Sequence, residues 1–189
     1  MKNKIKILDL GCGKQRKIKR LNAEIIGLDV AKHPNVDVVH DLNKLPLPFE
    51  DEEFDEIHAS HVLEHLKFDI FSPLMDEIYR ILKPNGIFFV KVPHWKGKYA
   101  FDSPEHTRCF TPYTFNYFDK STPKPLTPKV TNCNFKINRR GINFIKTGTK
   151  LDILNIFNFI YNIHPFLTEK ILCNLIPPDE IEFELKVIK

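Results

Sequence analysis

Short apolar runs recur along the first half of the chain, at residues 5–10, 25–28, 36–39, 54–60 and 87–92. Each run is too short for an independent helix, and most are rich in β-branched residues, so we predict five buried strands. Residues 71–82 carry apolar side chains at helical spacing, and a Lys-Pro-Asn-Gly sequence ends that predicted helix. Strands followed by helical segments are typical of a parallel α/β sheet.

The pattern changes in the second half of the chain. Aromatic side chains crowd residues 94–118, and residues 121–128 hold three prolines and are interpreted as a loop. Weak alternation over 135–145, with an expected kink at Arg140 and Gly141, and clear alternation over 181–188 predict two further strands.

Residues 151–176 are apolar at helical spacing and are interrupted at Pro165. Asp152 and Asn155 lie within this stretch, so it is not expected to span a bilayer. We expect it to pack as core or to cover the substrate pocket. A surface for a partner protein or a lipid is the alternative.

A glycine-rich turn follows the first predicted strand. Gly11 and Gly13 let the backbone turn sharply and let a ligand approach it closely. Asp29 ends the next predicted strand, where its carboxylate is well placed to accept hydrogen bonds from ribose hydroxyls. The third glycine of the dinucleotide fingerprint is absent, because Arg16 stands there. An ordinary strand-to-helix turn with a capping aspartate is the alternative interpretation.

The first two crossover connections are short. Residues 14–22 hold mainly basic side chains and predict a short helix at best. The segment between Asp29 and the third strand is too short for a crossover helix, which needs about a dozen residues. We therefore predict a strap in place of the second helix.

Four segments resemble the class I S-adenosylmethionine-dependent methyltransferases, and in particular their small, type 11-like methyltransferase-domain group. They are DLGCG at 9–13, GLD at 27–29, FDEIHASHVLEHL at 54–66 and LKPNG at 82–86. The resemblance implies a Rossmann-like, doubly wound, mostly parallel α/β sheet of about seven strands with an antiparallel last strand. It further implies a single domain over 1–189, with a cofactor-binding half at 1–92 and a substrate-side half at 93–189.

The resemblance also implies how S-adenosylmethionine would bind. Residues at the turn would shape the methionine pocket, the second strand tip would hold the ribose, the third would flank the adenine, and the fourth would close the site. In that order the implied cofactor residues are Asp9, Gly11, Cys12 and Gly13; Asp29 and Val30; Asp41 and Leu42; and Ser60 and His61.

Methyl transfer needs a general base only if the accepting atom starts protonated. His94 and His106 follow the fifth strand at the edge where ligands bind in open α/β sheets, so they are candidate general bases. Trp95, Tyr99 and Arg108 are candidate substrate-binding residues, because aromatic rings can wall an apolar acceptor and a guanidinium can hold an anion. Packing and loop-bridging roles are the alternatives for all five.

Composition leaves the partner open. The 189-residue chain has a net charge of +4 and a pI near 8.8, which permits a nucleic-acid partner without indicating one. The four cysteines are widely spaced, so the sequence predicts no zinc ribbon or redox pair. We expect a cytoplasmic protein with no membrane span that methylates a small molecule. An RNA or protein acceptor is not excluded, and the oligomeric state is left open.

Three alternatives stay open at this stage. HVLEH at 61–65 satisfies an inverted zinc-protease motif, although that motif needs a third ligand on a neighbouring helix, and we predict no metal. An NAD-dependent oxidoreductase is disfavoured by the missing third glycine. A non-catalytic cofactor-binding or partner-binding module on the same fold is the remaining alternative.

Overall fold

The computed structural model describes residues 4–15, 18–122, 131–144, 157–164 and 167–189. These residues form a seven-stranded mixed sheet of order β3-β2-β1-β4-β5-β7-β6. The strands are β1 (Ile5–Leu10), β2 (Ala23–Asp29), β3 (Val38–Val39), β4 (Phe54–Ser60), β5 (Leu82–Pro93), β6 (Phe135–Asn143) and β7 (Glu180–Val187).

Strands β1 to β5 pair in parallel, and β7 lies antiparallel between β5 and β6. The predicted doubly wound, mostly parallel sheet with an antiparallel last strand is therefore confirmed. The parallel arrangement brings the C-terminal ends of β1, β2, β3 and β4 to one edge. Ligands bind at this edge in open α/β sheets.

The helices that the structure describes are α1 (Phe71–Ile81), α2 (Phe157–Ile163) and α3 (Cys173–Leu175), which continues a π-helical turn at Thr168–Leu172. Helix α1 buries Leu74, Ile78 and Ile81 along one face, and they join the main core formed with the sheet. The predicted helix over 71–82 is confirmed as far as Ile81, because Leu82 already belongs to β5. Residues 151–156 and 165–166 of the predicted 151–176 segment lie outside the described residues. No described helix combines the length and apolar character needed to cross a bilayer.

Three of the aromatic residues that follow β5 belong to the core. Phe110, Phe115 and Phe118 are each at most 2% exposed. The ring of Phe71 on α1 contacts all three at centroid distances of 5.6–6.0 Å. This cluster joins the loop after β5 to α1, so these three rings position that loop.

Two expected features of the first crossovers have different outcomes. Residues 14–15 and 18–22 form no helix, so the short first helix is not seen in the described residues. Residues 30–37 also form no helix, as predicted, and β3 is shorter than the expected 36–39 run. In the described residues, therefore, neither connection contains a helix that would cover the sheet face opposite α1.

Two strands are less regular than predicted. Strand β5 begins at Leu82, because the Lys-Pro-Asn-Gly segment forms a bulge between the Phe54–Leu82 and Glu56–Ile87 pairs. In β6 the irregularity falls between Ile137 and Arg139, and not at the expected kink at Arg140 and Gly141. An extra residue in one strand of a pair bends that strand locally.

Candidate functional site

The turn after β1 requires glycine at its first position. Gly11 has φ of +64° and Gly13 has φ of +61°, a region that L-residues with side chains adopt at a cost. A Cβ at Gly11 would lie 2.5 Å from Cγ2 of Val62. The backbone N–H groups of Gly11 and Cys12 donate to the carbonyl of Leu28 at 2.8 and 3.2 Å, which fastens the turn to the end of β2.

Asp29 at the tip of β2 orders this turn directly. One carboxylate oxygen accepts the N–H of Gly13 at 2.9 Å, and the other accepts the N–H of Ala31 at 2.9 Å. Each oxygen of an ionised carboxylate has a second acceptor site. Asp29 can therefore hold the glycine turn and still accept hydrogen bonds from a ligand.

Two cavities meet at Gly11. The smaller, of about 130 Å³, is lined by both predicted acidic strand tips, Asp29 and Asp41, with Val30 and Leu42. The larger, of about 410 Å³, is lined by Asp9, Cys12 and Ser60 among others. The structure thus brings eight of the ten implied cofactor residues to two adjoining spaces. Of the other two, Gly13 is bonded to Asp29, and His61 lies outside both linings.

Asp41 is held as an ionised acceptor at the smaller cavity. Its carboxylate accepts hydrogen bonds from the backbone N–H and the side-chain amide of Asn43 at 2.9 and 3.0 Å. The backbone hydrogen bond from Asn43, followed by the side-chain bond, lowers the pKa of Asp41. Its neighbour Leu42 is buried beside it, so a polar acceptor and an apolar surface adjoin at the tip of β3.

His61, just after β4, lies between two carboxylates. Its ring nitrogens face Glu180 at 3.2 Å and Glu64 at 3.4 Å, and φ is +54°. Hydrogen bonds to Glu180 and then to Glu64 raise the pKa of His61 to about 9. The protonated ring therefore ties the end of β4 to the start of β7, and it does not offer a free base at neutral pH.

His94 is enclosed in the protein. It is 0% exposed, its Nδ1 accepts the N–H of Lys96 at 3.1 Å, and its Nε2 lies 2.9 Å from Glu169. The indole N–H of Trp95 also donates to Glu169, and the thiol of Cys173 lies 3.7 Å from the same carboxylate. Both nitrogens of His94 therefore have partners, and neither His94 nor Trp95 lines the two cavities.

The remaining candidate residues serve the loop after β5. Arg108 donates to the carbonyls of Lys67 and Phe68 at 2.8 and 3.1 Å, and burial lowers its pKa. Tyr99 lies under the ammonium group of Lys98. Neither Arg108 nor Tyr99 lines the two cavities.

His106 also lies outside the cavity linings but beside one of them. Its ring meets that of His65 edge-on at a centroid distance of 4.6 Å. His65 lines the smaller cavity, so the ring of His65 separates His106 from that cavity.

Five lining residues of the larger cavity were missed by sequence reasoning: Ile18, His58, Ala59, Phe89 and Lys91. His58, Phe89 and Lys91 lie on the sheet face opposite α1, where no described helix from the first crossover covers them. The rings of His58 and Phe89 stack at 4.6 Å, and burial lowers the pKa of His58. The available signal was the alternation of polar His58 and Ser60 with apolar positions in β4, which marks a second, open face.

Comparison with known sequences finds similarity to methyltransferases. Residues 8–90 match a family model described as a methyltransferase domain. A probable S-adenosylmethionine-dependent methyltransferase of Mycolicibacterium smegmatis is 32% identical over 119 residues, covering 54% of this chain and 45% of that protein. The sterol 24-C-methyltransferase of Candida albicans is 31% identical over 124 residues, covering 55% of this chain and 32% of that protein. The chain thus spans less than half the length of these two curated relatives.

Comparison with solved structures shows the fold. The crystal structure of an S-adenosylmethionine-dependent methyltransferase from Archaeoglobus fulgidus superposes with a TM-score of 0.53 at 16% identity, covering 96% of this chain and 86% of that one. Residues 8–90 thus match a methyltransferase domain, and the sheet order with its glycine turn between acidic strand tips agrees with the Rossmann-like methyltransferase fold.

Proposed function

We propose that this protein transfers a methyl group from S-adenosylmethionine to a small-molecule acceptor. The observation that carries this proposal is the pair of carboxylates, Asp29 and Asp41, which flank one cavity beside the glycine turn. Carboxylates there can accept from the hydroxyl and amino groups of an adenosine, and Leu42 can pack on its base. A Cβ at Gly13 would meet nothing within 4 Å, so the turn leaves open space for a ligand.

The residues divide into roles along the sheet edge. Asp9, Gly11, Cys12 and Gly13 would surround the methionine end, Asp29 and Val30 the ribose, Asp41 and Leu42 the adenine, and Ser60 and His61 would close the site. The bound donor supplies an electrophilic methyl group, so the chain mainly positions the two reactants. Residues 93–189 would supply the acceptor side within a single domain.

One relative supports a small-molecule acceptor. The Candida albicans relative is a sterol methyltransferase by name. His94 and Arg108 already hydrogen-bond to other residues of the protein. We therefore expect the reaction to proceed without His94 as a general base and without Arg108 binding an anionic group of the acceptor.

Calorimetry followed by a labelling screen tests this proposal. Purified protein should bind S-adenosylmethionine and S-adenosylhomocysteine but not NADH. Labelled donor should then transfer its methyl group into a small-molecule fraction of a host extract, and not into RNA or protein fractions. No binding of either S-adenosyl compound at millimolar concentration would refute the enzyme. Binding without transfer to any fraction would instead favour a non-catalytic module.

A further inference from the structure

Glu64 is a buried carboxylate with an unused oxygen. Its side chain follows β4 in a short 3₁₀ turn (Leu63–His65), and the residue is 1% exposed. Oε1 faces the His61 ring at 3.4 Å, whereas Oε2 has no hydrogen-bond partner among the described residues. Burying a polar oxygen without a partner is costly, so Oε2 is expected to meet a ligand that the described residues do not supply.

Two imidazoles lie near the Glu64 carboxylate. One ligand atom from each of Glu64, His65 and His106 can be chosen so that all three lie within 4.8 Å of one another. Nδ1 of His106 lies 3.1 Å from the carbonyl of Ala100, an arrangement that places the proton on Nδ1 and the lone pair on Nε2. A backbone carbonyl in that position is the usual outer partner of a metal-binding histidine.

The chain fixes these residues relative to one another. The backbone N–H of Thr107 donates to the carbonyl of Glu64 at 2.8 Å, and its hydroxyl donates to the carbonyl of Leu66. Arg108 bonds the carbonyl of Lys67 on the same turn. The loop that carries His106 is thus pinned to the turn that carries Glu64 and His65.

We propose that Glu64, His65 and His106 bind a divalent first-row transition-metal cation such as Zn²⁺ or Co²⁺. Two imidazoles and one carboxylate suit these ions, whereas Mg²⁺ prefers oxygen ligands alone. Because His65 lines the smaller cavity, the open coordination positions would face that space. The assignment gives His106 a ligand role in place of the general-base role expected from sequence.

The ligand set differs from the inverted zinc motif in the sequence. In that motif the two histidines at 61 and 65 would bind the metal and Glu64 would act as base. Here both ring nitrogens of His61 face carboxylates, Glu180 at 3.2 Å and Glu64 at 3.4 Å, so neither is turned toward His65 and His106 as a ligand. The carboxylate takes its place, and the third ligand comes from the loop after β5.

A second group of suitable side chains is a weaker candidate. His94, Glu169 and Cys173 also lie close together. However, Glu169 is already bonded to His94 through one oxygen and to Trp95 through the other. Burial raises the pKa of the Cys173 thiol to about 12, which favours the protonated form. That group forms a closed hydrogen-bond network, and it leaves no orphaned oxygen.

Metal titration of the full chain tests the site without relying on methyl transfer. Protein treated with a chelator and dialysed should bind one equivalent of Zn²⁺ by calorimetry, and Co²⁺ should give a visible ligand-field spectrum. His106→Ala and His65→Ala should each weaken Zn²⁺ binding at least 100-fold and abolish the Co²⁺ spectrum. His33→Ala is the matched control, because His33 lies outside the cluster, and it should behave as the parent protein.

Thermal unfolding guards against variants that simply fail to fold. His65 is exposed, so His65→Ala should unfold without metal at the parent temperature and lose only the rise that Zn²⁺ produces. Absence of stoichiometric binding, or binding that survives both alanine substitutions, would overturn the site. Metal binding without any binding of S-adenosylhomocysteine would leave the site standing and refute the proposed function.

Discussion

Replacing Asp29 with alanine isolates the contact that the proposed cofactor site most requires. The carboxylate already accepts two backbone N–H groups, from Gly13 and Ala31, at 2.9 Å each. Its remaining acceptor sites would take the ribose hydroxyls. A hydrogen bond to a charged group contributes about 1.5–3 kcal/mol. Asp29→Ala should therefore weaken binding of S-adenosylhomocysteine by about 10- to 150-fold.

Loss of the two backbone contacts could also weaken binding, so affinity alone does not identify the ribose contact. A thermodynamic cycle with the 2′-deoxy analogue of S-adenosylhomocysteine separates the two effects. Calorimetry should show a large penalty for the missing hydroxyl in the parent protein and almost none in Asp29→Ala.

Asp37→Ala serves as the control for this cycle. Asp37 accepts the backbone N–H of Gly27 at 2.7 Å, but it lines neither cavity. The variant loses a backbone contact of similar kind and should keep the full penalty for the missing hydroxyl. Equal penalties in the parent and in Asp29→Ala would refute the assignment of Asp29 to the ribose.

Two further predictions concern stability. Gly11→Ala should lower the free energy of unfolding, measured in urea, by about 2–5 kcal/mol. A positive φ costs about 1–2 kcal/mol, and overlap with Val62 costs about 1–3 kcal/mol. A Cβ at Gly13 meets open space, so Gly13→Ala should lower the same free energy by only about 1–2 kcal/mol. Equal losses would contradict the packing at Gly11. Hydrogen bonds from Arg80 lower the pKa of Glu77 in the folded state, so their stabilisation is present above the unfolded pKa of 4.5 and is lost as pH falls through the lower, folded pKa. Glu77→Gln should be less stable at pH 7 by about 1–3 kcal/mol and should lose less on acidification than the parent, and an unchanged pH profile would refute this role.

The cofactor half of the sheet could be predicted from sequence because local signals agree there. Local residue types largely determine the strands β1 and β4 and the glycine turn after β1. Few distant residues are needed to define their backbone conformation. The loss of the second crossover helix also followed from chain length alone. Asp29 and Asp41 were placed correctly at one edge because strand tips of a parallel sheet must meet there.

Side-chain direction in the second half could not be predicted from the same signals. His94 and Arg108 follow β5 at the ligand edge, yet one side chain is buried against Glu169 and the other bonds the carbonyls of Lys67 and Phe68. Glu169 is 75 residues from His94 along the chain, and the two carbonyls are 41 and 40 residues from Arg108. No local sequence pattern contains such distant partners. The cluster of Glu64 with His106 has the same origin, since it depends on how the loop after β5 docks.

A crystal structure of the protein with S-adenosylhomocysteine tests the central claim most directly. We predict that the ribose hydroxyls lie within hydrogen-bond distance of Asp29, that the adenine lies between Asp41 and Leu42, and that the methionine end reaches the glycine turn. A ligand bound elsewhere, or both cavities vacant at saturating concentration, would contradict the account.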